Sequence, residues 1–412
     1  MILATRFFNF LFILSILLIF QEQYFFEYFA LKGIYLSTLF GVLGSLGTFL
    51  ISLKNKTLFT IFNQSLIYKA AVFWIILLSI TALFSNNPLE TYKYISIIVI
   101  GVFYSFNFYL AFRELNPDSF INPTAVVIIV ATMISIYDFF AIREGWIVFN
   151  KVPEMYRLVS GFRYFAVTAD FAQFMLSILI PYMIVFGNDF VNEKKKTALV
   201  YGAILLGVIL LIGTTRISVI ISFAISCLIS FFLNIRKLSF KRILTGLALS
   251  LVLCVGFFYA FSDIFHEIIY RINKRITNRQ SKDLAGDFFT ENIYKSFNIF
   301  CKNPIKGVGL GQSQICVDGG VYSVHGTFFK LLSETGLLGT LGYIVFLATI
   351  ILFFYKNLKD KSGNSIFLFQ FLPYFVGLMI SSFYNTFFYR IEFWLFVAVF
   401  QILASKKYAK QS

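Results

Sequence analysis

Long apolar runs recur along this chain, and they constrain its fold more than any other feature. Each run holds about 17 residues or more with few charges, which is enough for a helix to cross a hydrocarbon core about 30 Å thick. No water is present there to pair with backbone polar groups, so a spanning run has to be helical. The sequence therefore predicts an all-α fold, a polytopic membrane bundle of about twelve transmembrane helices.

The predicted spans divide the chain into three parts. Residues 1–261 hold the first nine spans, residues 262–334 form a large extracytoplasmic loop that we expect to carry the functional site, and residues 335–412 hold the last three spans and a tail. An even number of spans places both termini on one side of the membrane. The spans are predicted at 7–21, 34–53, 67–84, 93–112, 121–141, 165–187, 197–213, 217–233, 243–261, 335–355, 366–383 and 391–405.

Basic residues orient the predicted bundle. The formal net charge of +15 would suggest nucleic acid as a partner for a soluble protein. Here the short connections on one side are rich in Lys and Arg, whereas the opposite short connections hold only Lys32, Lys93, Arg216 and Arg390. Because Lys and Arg favour the cytoplasmic side, we expect both termini to be cytoplasmic, and we expect no nucleic-acid partner.

Two predicted outer loops break this pattern, because they are basic as well. An ordinary solvated loop would explain their charges, but a basin that binds an anionic substrate at the outer surface explains them too, and we favour the basin. Residues 142–164 include Arg163, and residues 262–334 include Arg271, Lys274, Arg275, Arg279, Lys282, Lys295, Lys302, Lys306 and Lys330.

The long loop itself predicts two helices. Its first part, DIFHEIIYRINKRITNR, has the spacing of an amphipathic helix that lies at the membrane interface. Its second part, DFFTENIYKSFNIFCKN, predicts a helix that ends before Pro304, since proline cannot continue a helix. The following GVGLG lacks the GK[ST] of a P-loop, so it does not indicate a nucleotide site.

Four ionisable residues are candidates for chemistry. Arg216 lies in the turn GTTRIS between two short spans, near the outer headgroups, where its guanidinium suits a phosphate and where snorkelling to water is the alternative. Asp138 and Asp170 lie toward the same side, and ion pairs with arginines are a simpler role for them than catalysis. His325 lies where the long loop meets a span, which favours a general base over a structural histidine.

Metal and disulfide chemistry are less well supported. The outer loops contain no Asp-x-Asp pattern, so a metal-dependent sugar-nucleotide site is not expected. Cys227 and Cys254 fall inside predicted spans, whereas Cys301 and Cys316 fall in the long loop and could pair if that side is oxidising.

The motifs around these residues resemble those of the O-antigen polymerase and O-antigen ligase superfamily. The segment from NPIKGVGLG to HGTFFKLLSETGLLG looks like that family's Pro/Gly turn and His-initiated helix, and GTTRIS looks like its Thr-Arg turn. SGFRYFAVTADFAQFMLSILIP is similar to its outer-loop glycine and the span that follows. Two features depart from the family: Phe289 and Thr290 stand where its second pyrophosphate arginine is expected, and Gly326 stands where it often has Asn.

The resemblance implies a glycosyltransferase of the bacterial inner membrane that needs neither a metal nor a cofactor. Its partners would be an undecaprenyl-pyrophosphate-linked glycan and membrane lipid, with a chain-length regulator protein as a further candidate. A polymerase that joins repeat units is favoured; a ligase that transfers the glycan to lipid A core is the nearest alternative, and a transporter or flippase of lipid-linked sugars is a more distant one. His325 would be catalytic, and the substrate-binding residues would be Arg216, Arg163, Arg271, Arg275, Arg279, Lys295 and Glu334.

Overall fold

A computed structural model describes residues 2–18, 36–143, 165–186, 194–214, 216–234, 288–317, 320–359 and 364–405, with positions 262, 266, 269 and 270. These residues form an α-helical bundle with a short antiparallel hairpin. The helices are α1 (Ile2–Leu18), α2 (Leu36–Lys54), α3 (Thr57–Gln64), α4 (Leu66–Leu83), α5 (Pro88–Phe112), α6 (Asp118–Arg143), α7 (Phe165–Phe186), α8 (Lys194–Gly213), α9 (Ile217–Asn234), α10 (Phe288–Lys302), α11 (Thr327–Lys359), α12 (Asn364–Ser382) and α13 (Ile391–Ser405). The hairpin pairs β1 (Gln314–Val317) with β2 (Gly320–Ser323).

Seven of the helices in the described ranges are long and apolar enough to cross a membrane, namely α4 to α9 and α11. The pair α2 and α3 would pass as an eighth span bent by 104°, and α1, α12 and α13 are shorter apolar helices. The predicted class, an all-α multi-pass bundle, is therefore confirmed. The total of twelve stays a prediction, and the ninth predicted span, 243–261, lies outside the described residues.

Two predicted connections contain helix instead. Residues 54–66 connect the second and third predicted spans, and α3 forms there after Lys56, which has a left-handed backbone with φ 57°. The helix is only 8 residues long and buries Leu58 and Ile61 on one face, so no span-length signal marks it. Likewise α5 begins at Pro88 rather than at residue 93, because Asn87 caps it by accepting a 3.2 Å hydrogen bond from the Glu90 backbone.

Helix α7 lies at the centre of the bundle. It packs against α6, α8, α9, α12 and α13, and 83% of its span is buried, against 28–56% for the other candidate spans in the described ranges. Aromatic side chains fill much of the remaining core. Trp74 on α4, for example, stacks on Phe346 of α11 and donates a 2.9 Å hydrogen bond to the Gly339 carbonyl. A polar residue on α7 is therefore held among packed helices.

The last part of the long loop contains helix α10 and leads into the start of α11. Helix α10 matches the predicted second loop helix and ends at Lys302, before Pro304 as expected. Helix α11 begins earlier than residue 335, but it is broken at Gly336, whose φ is 60° and ψ is −157°. The part before the break is a short helical segment, and the part after it corresponds to the predicted tenth span.

Candidate functional site

Asp170 forms the centre of a polar cluster at one end of the bundle. It is fully buried near the start of α7, and its Oδ2 lies 3.0 Å from a nitrogen of Arg390 and 3.5 Å from a nitrogen of Arg216. Its Oδ1 accepts a 3.0 Å hydrogen bond from the side-chain amide of Asn385. A buried carboxylate is costly unless it is paired. The simpler of the two predicted roles for Asp170, pairing with a nearby arginine, is confirmed.

Arg216 is fixed by its backbone as well as by its side chain. Its carbonyl accepts 3.1 Å hydrogen bonds from Val219 and Ile220, so it stands directly at the start of α9, where the two short spans meet. Its guanidinium contacts Asp170 and also donates to the side-chain oxygen of Asn385. The predicted position between two helices is therefore correct, although α8 is 20 residues long rather than about 17, and the guanidinium is held within the cluster.

Asn385 connects this cluster to the start of α11. Its side chain contacts Asp170 and Arg216, while its backbone carbonyl accepts two hydrogen bonds from Thr327, one from the backbone nitrogen at 3.0 Å and one from Oγ1 at 2.7 Å. The same Oγ1 accepts a 3.3 Å hydrogen bond from the Phe387 backbone. The turn between α12 and α13, residues 383–390, thus joins the arginines to the first residue of α11.

His325 lies two residues before that point. Both of its backbone groups bond to the side chain of Asn292 on α10: the backbone nitrogen donates to Oδ1 and the carbonyl accepts from Nδ2, each at 2.9 Å. The residue is exposed at the surface, yet the partial burial of its imidazole lowers its pKa, and the positive charges of Lys330 and Arg216 lower the pKa further. A neutral imidazole near pH 7 can accept a proton, as a general base must.

Glu334 holds the glycine-rich segment 307–313 against α11. Its side chain is fully buried; Oε1 accepts a 2.6 Å hydrogen bond from the Ser313 hydroxyl, and Oε2 accepts a 2.9 Å hydrogen bond from the Gly311 backbone. Its backbone carbonyl also accepts from the Gly309 nitrogen at 2.7 Å. These contacts order the loop that precedes His325. Substrate binding by Glu334 stays a prediction.

Two glycines allow this loop to approach α11 closely. A Cβ on Gly307 would lie 2.3 Å from the backbone of Glu334, and a Cβ on Gly336 would lie 2.5 Å from the backbone of Ile305. Both glycines also have positive φ, 68° and 60°, which other residues rarely adopt. The glycines of this segment therefore serve backbone packing rather than phosphate binding by a nucleotide loop.

The acidic and basic side chains of the cluster differ in how far they are exposed. The side chains of the acids are buried, with 0% of Asp170 and 0% of Glu334 exposed. The cations next to them reach the surface, with 19% of the Arg216 side chain, 22% of Arg390 and 11% of Lys330 exposed. A molecule that approaches from the surface would therefore meet the positive groups before the negative ones, an arrangement that suits an anionic ligand.

The region around this cluster matches a known family. Residues 201–344 match a family model described as O-antigen ligase. This match supports the resemblance of that region to the O-antigen polymerase and ligase superfamily. The matched region holds Arg216, His325 and Glu334, whereas Asp170 and Arg390 lie outside it. A comparison with curated proteins found no match to the chain.

The superfamily resemblance predicted a larger set of binding residues than the structure describes. Arg216 lies close enough to His325 to lower the pKa of its imidazole. Lys295 is half-buried on α10, three residues after the asparagine that holds His325. The other basic members of the set lie outside the described residues: Arg163, Arg271, Arg275 and Arg279. Cys301 is a free thiol, so the suggested pairing with Cys316 is not formed here.

Three residues of the cluster, Arg390, Asn385 and Asn292, were not predicted from the sequence. Arg390 carried the same signal as Arg216, since both are basic residues on short outer connections where such residues are scarce. Asn385 and Asn292 carried no comparable signal, because an asparagine in a turn or a loop helix is ordinary. In the described part of the chain, no group of three or more His, Cys, Asp or Glu side chains is arranged to hold a metal ion. The predicted metal independence stays a prediction.

Proposed function

We propose that this protein is a glycosyltransferase that moves a glycan from undecaprenyl pyrophosphate to a hydroxyl group of an acceptor glycan. The observation that carries the proposal is the link between His325 and Arg216. Asn385 contacts Arg216 through its side chain and Thr327 through its carbonyl, so a candidate base and a candidate phosphate-binding group belong to one connected cluster. The match of residues 201–344 to a family model described as O-antigen ligase supports the same reaction class.

The reaction follows from these positions. The acceptor oxygen attacks the anomeric carbon of the donor, and the bond between that carbon and the pyrophosphate oxygen breaks. The electron pair leaves with the lipid pyrophosphate, whose developing charge Arg216 stabilises through charge-assisted hydrogen bonds. The His325 imidazole takes the proton of the attacking hydroxyl and later releases it to water. The products are the extended glycan and undecaprenyl pyrophosphate.

We place this reaction at the outer face of the bacterial inner membrane. The cluster and the basic short connections fall at opposite ends of α5. The backbone nitrogen of Asn87, just before that helix, donates a 3.0 Å hydrogen bond to the side-chain oxygen of Gln312 in the glycine-rich segment. Arg113, at the other end, pairs with Glu114 at 3.1 Å. Since the basic connections favour the cytoplasm, the cluster would face outward and both termini inward.

Within this reaction class, we propose that the protein is a polymerase that joins lipid-linked oligosaccharide repeat units. The resemblance in the loop before His325 favours this function. A ligase that transfers the glycan to lipid A core is the second candidate, and the description of the matched family supports it. A transporter or flippase is disfavoured, because a transport path would place ionisable groups through the membrane thickness rather than at one end.

Analysis of the surface glycan in a deletion strain tests the choice between the two enzymes. If the protein is a polymerase, the mutant carries single repeat units on its lipid A core. If it is a ligase, long chains accumulate on the lipid carrier and none reach the core. A mutant with a normal surface glycan and normal carrier-linked intermediates would contradict both functions. A chain-length regulator is a further expected partner of the polymerase, and its deletion should change chain length without stopping synthesis.

A further inference from the structure

We propose that Arg390, in the turn between α12 and α13, binds the pyrophosphate of the donor together with Arg216. This inference rests on the proposed function, but it names a residue outside the family-matched region 201–344. It also answers a question raised by the sequence, in which Phe289 and Thr290 occupy the place expected for a second arginine.

The geometry places the two guanidinium groups side by side. Both approach the same oxygen, Oδ2 of Asp170, Arg390 at 3.0 Å and Arg216 at 3.5 Å. Because Asp170 is fully buried and Asn385 holds its other oxygen, the carboxylate is a fixed anchor for both arginines. A guanidinium has five N–H donors in a rigid fork, and the contact with Asp170 occupies one nitrogen of Arg390.

The charges are arranged so that the arginines face the ligand. The Glu392 side chain, whose charge interacts with those of Arg390 and Asp170, is also buried, with 3% of it exposed. The Arg390 side chain is 22% exposed and that of Arg216 is 19% exposed. The acids thus lie beneath the arginines. A pyrophosphate that arrives from the surface meets two guanidinium groups, each suited to bidentate phosphate contact.

A purely structural role is the competing explanation, in which Arg390 only neutralises Asp170. Arg216 and Asn385 already contact that carboxylate, so Asp170 is paired without Arg390, although Arg390 also offsets the charge of the buried Glu392. The two explanations differ in the double variant Asp170→Asn with Arg390→Gln. Removing both charges should restore function if Arg390 is only a counter-ion, but it should not restore pyrophosphate binding if Arg390 touches the ligand.

The test measures binding of farnesyl diphosphate and farnesyl monophosphate to the full-length protein in phosphatidylcholine nanodiscs. We expect Arg390→Gln to weaken diphosphate binding by about tenfold or more, because a charge-assisted hydrogen bond is lost, and to affect the monophosphate much less. Arg390→Lys should recover only part of the affinity, because it keeps the charge but not the fork. Arg113→Gln is the matched control, since Arg113 is ion-paired and 27% exposed at the other end of α5.

The outcomes separate this inference from the proposed function. Loss of diphosphate affinity in Arg390→Gln that persists in the double variant supports the contact. Recovery of affinity in the double variant, or equal losses for both farnesyl ligands, would overturn it. If Arg216→Gln weakens diphosphate binding while Arg390→Gln does not, the inference fails and the proposed function stands. If the wild type binds neither farnesyl ligand, both fail.

Discussion

Replacing His325 with glutamine separates a catalytic base from a structural histidine. Glutamine can hydrogen-bond but cannot take a proton near neutral pH, so the proposed proton transfer would be lost. The loop should keep its shape, because the two 2.9 Å hydrogen bonds to Asn292 come from the backbone of His325 and not from its imidazole. The residue as a whole is exposed at the surface, so we expect its replacement to change the free energy of unfolding by less than about 0.5 kcal/mol.

The expected loss of rate is far larger than this change in stability. A positioned general base contributes about 10²–10⁴-fold, which corresponds to about 3–5 kcal/mol of activation free energy. The assay is polymer formation from purified lipid-linked repeat units by the variant in liposomes, with thermal unfolding measured in parallel. His266→Ala is the matched control, because His266 is the other histidine and is exposed. Substantial activity in His325→Gln would refute the assignment and reduce this residue to an orienting role.

The pH dependence gives an independent check of the same assignment. Because burial and two nearby cations lower the pKa of His325, the neutral base is present down to a pH below its ordinary value of about 6.5. Activity should therefore rise with pH and reach half its maximum below that value. Lys330→Met removes one of the two cations, so the midpoint should move to higher pH. An unchanged midpoint in this variant would show that another group titrates.

Three further predictions address the rest of the site. Arg216→Lys keeps the charge but loses the planar fork, so glycan assembly should fall sharply while membrane insertion stays normal, and full activity in Arg216→Ala would rule out a pyrophosphate contact. Gly307→Ala should lower the melting temperature by several degrees, because its Cβ would lie 2.3 Å from the backbone of Glu334 at φ 68°, and an unchanged melting temperature would show that the loop can shift. Cysteines introduced at Ser281 should react with an impermeant reagent added from outside and those at Lys195 should not, whereas the reverse pattern would invert the topology.

Hydropathy and residues that end helices, such as proline, predicted most of the fold. The short helices on either side of Arg216 and the loop helix that ends at Lys302 were expected from apolar run lengths and from Pro304. These features depend on residues that are close together in the sequence, so they can be read from the sequence alone. Helix α3 was missed because its eight residues are too few to register as a membrane span.

The candidate site was only partly predictable, for a different physical reason. Arg216 and His325 each stood out by residue type and by position next to a span. Their connection through Asn385 depends on a turn that lies 169 residues from Arg216 in the sequence. Such a contact arises from helix packing. The residues next to Asn385 and Arg390 in the sequence do not indicate that these two side chains lie near Arg216. The role of Glu334 as an anchor for the loop was hidden in the same way.

The spread of the cluster along the chain has a consequence for biosynthesis. A ribosome that has just completed the family-matched region has made Asp170, Arg216 and His325, but not Asn385 or Arg390. Until α12 and α13 insert, Asp170 lacks two of its three described partners, and Thr327 lacks the carbonyl that fixes the start of α11. The cluster is therefore completed only after α12 and α13 have been synthesised and packed. A chain truncated before α12 should lack the arrangement on which the proposed pyrophosphate contact depends.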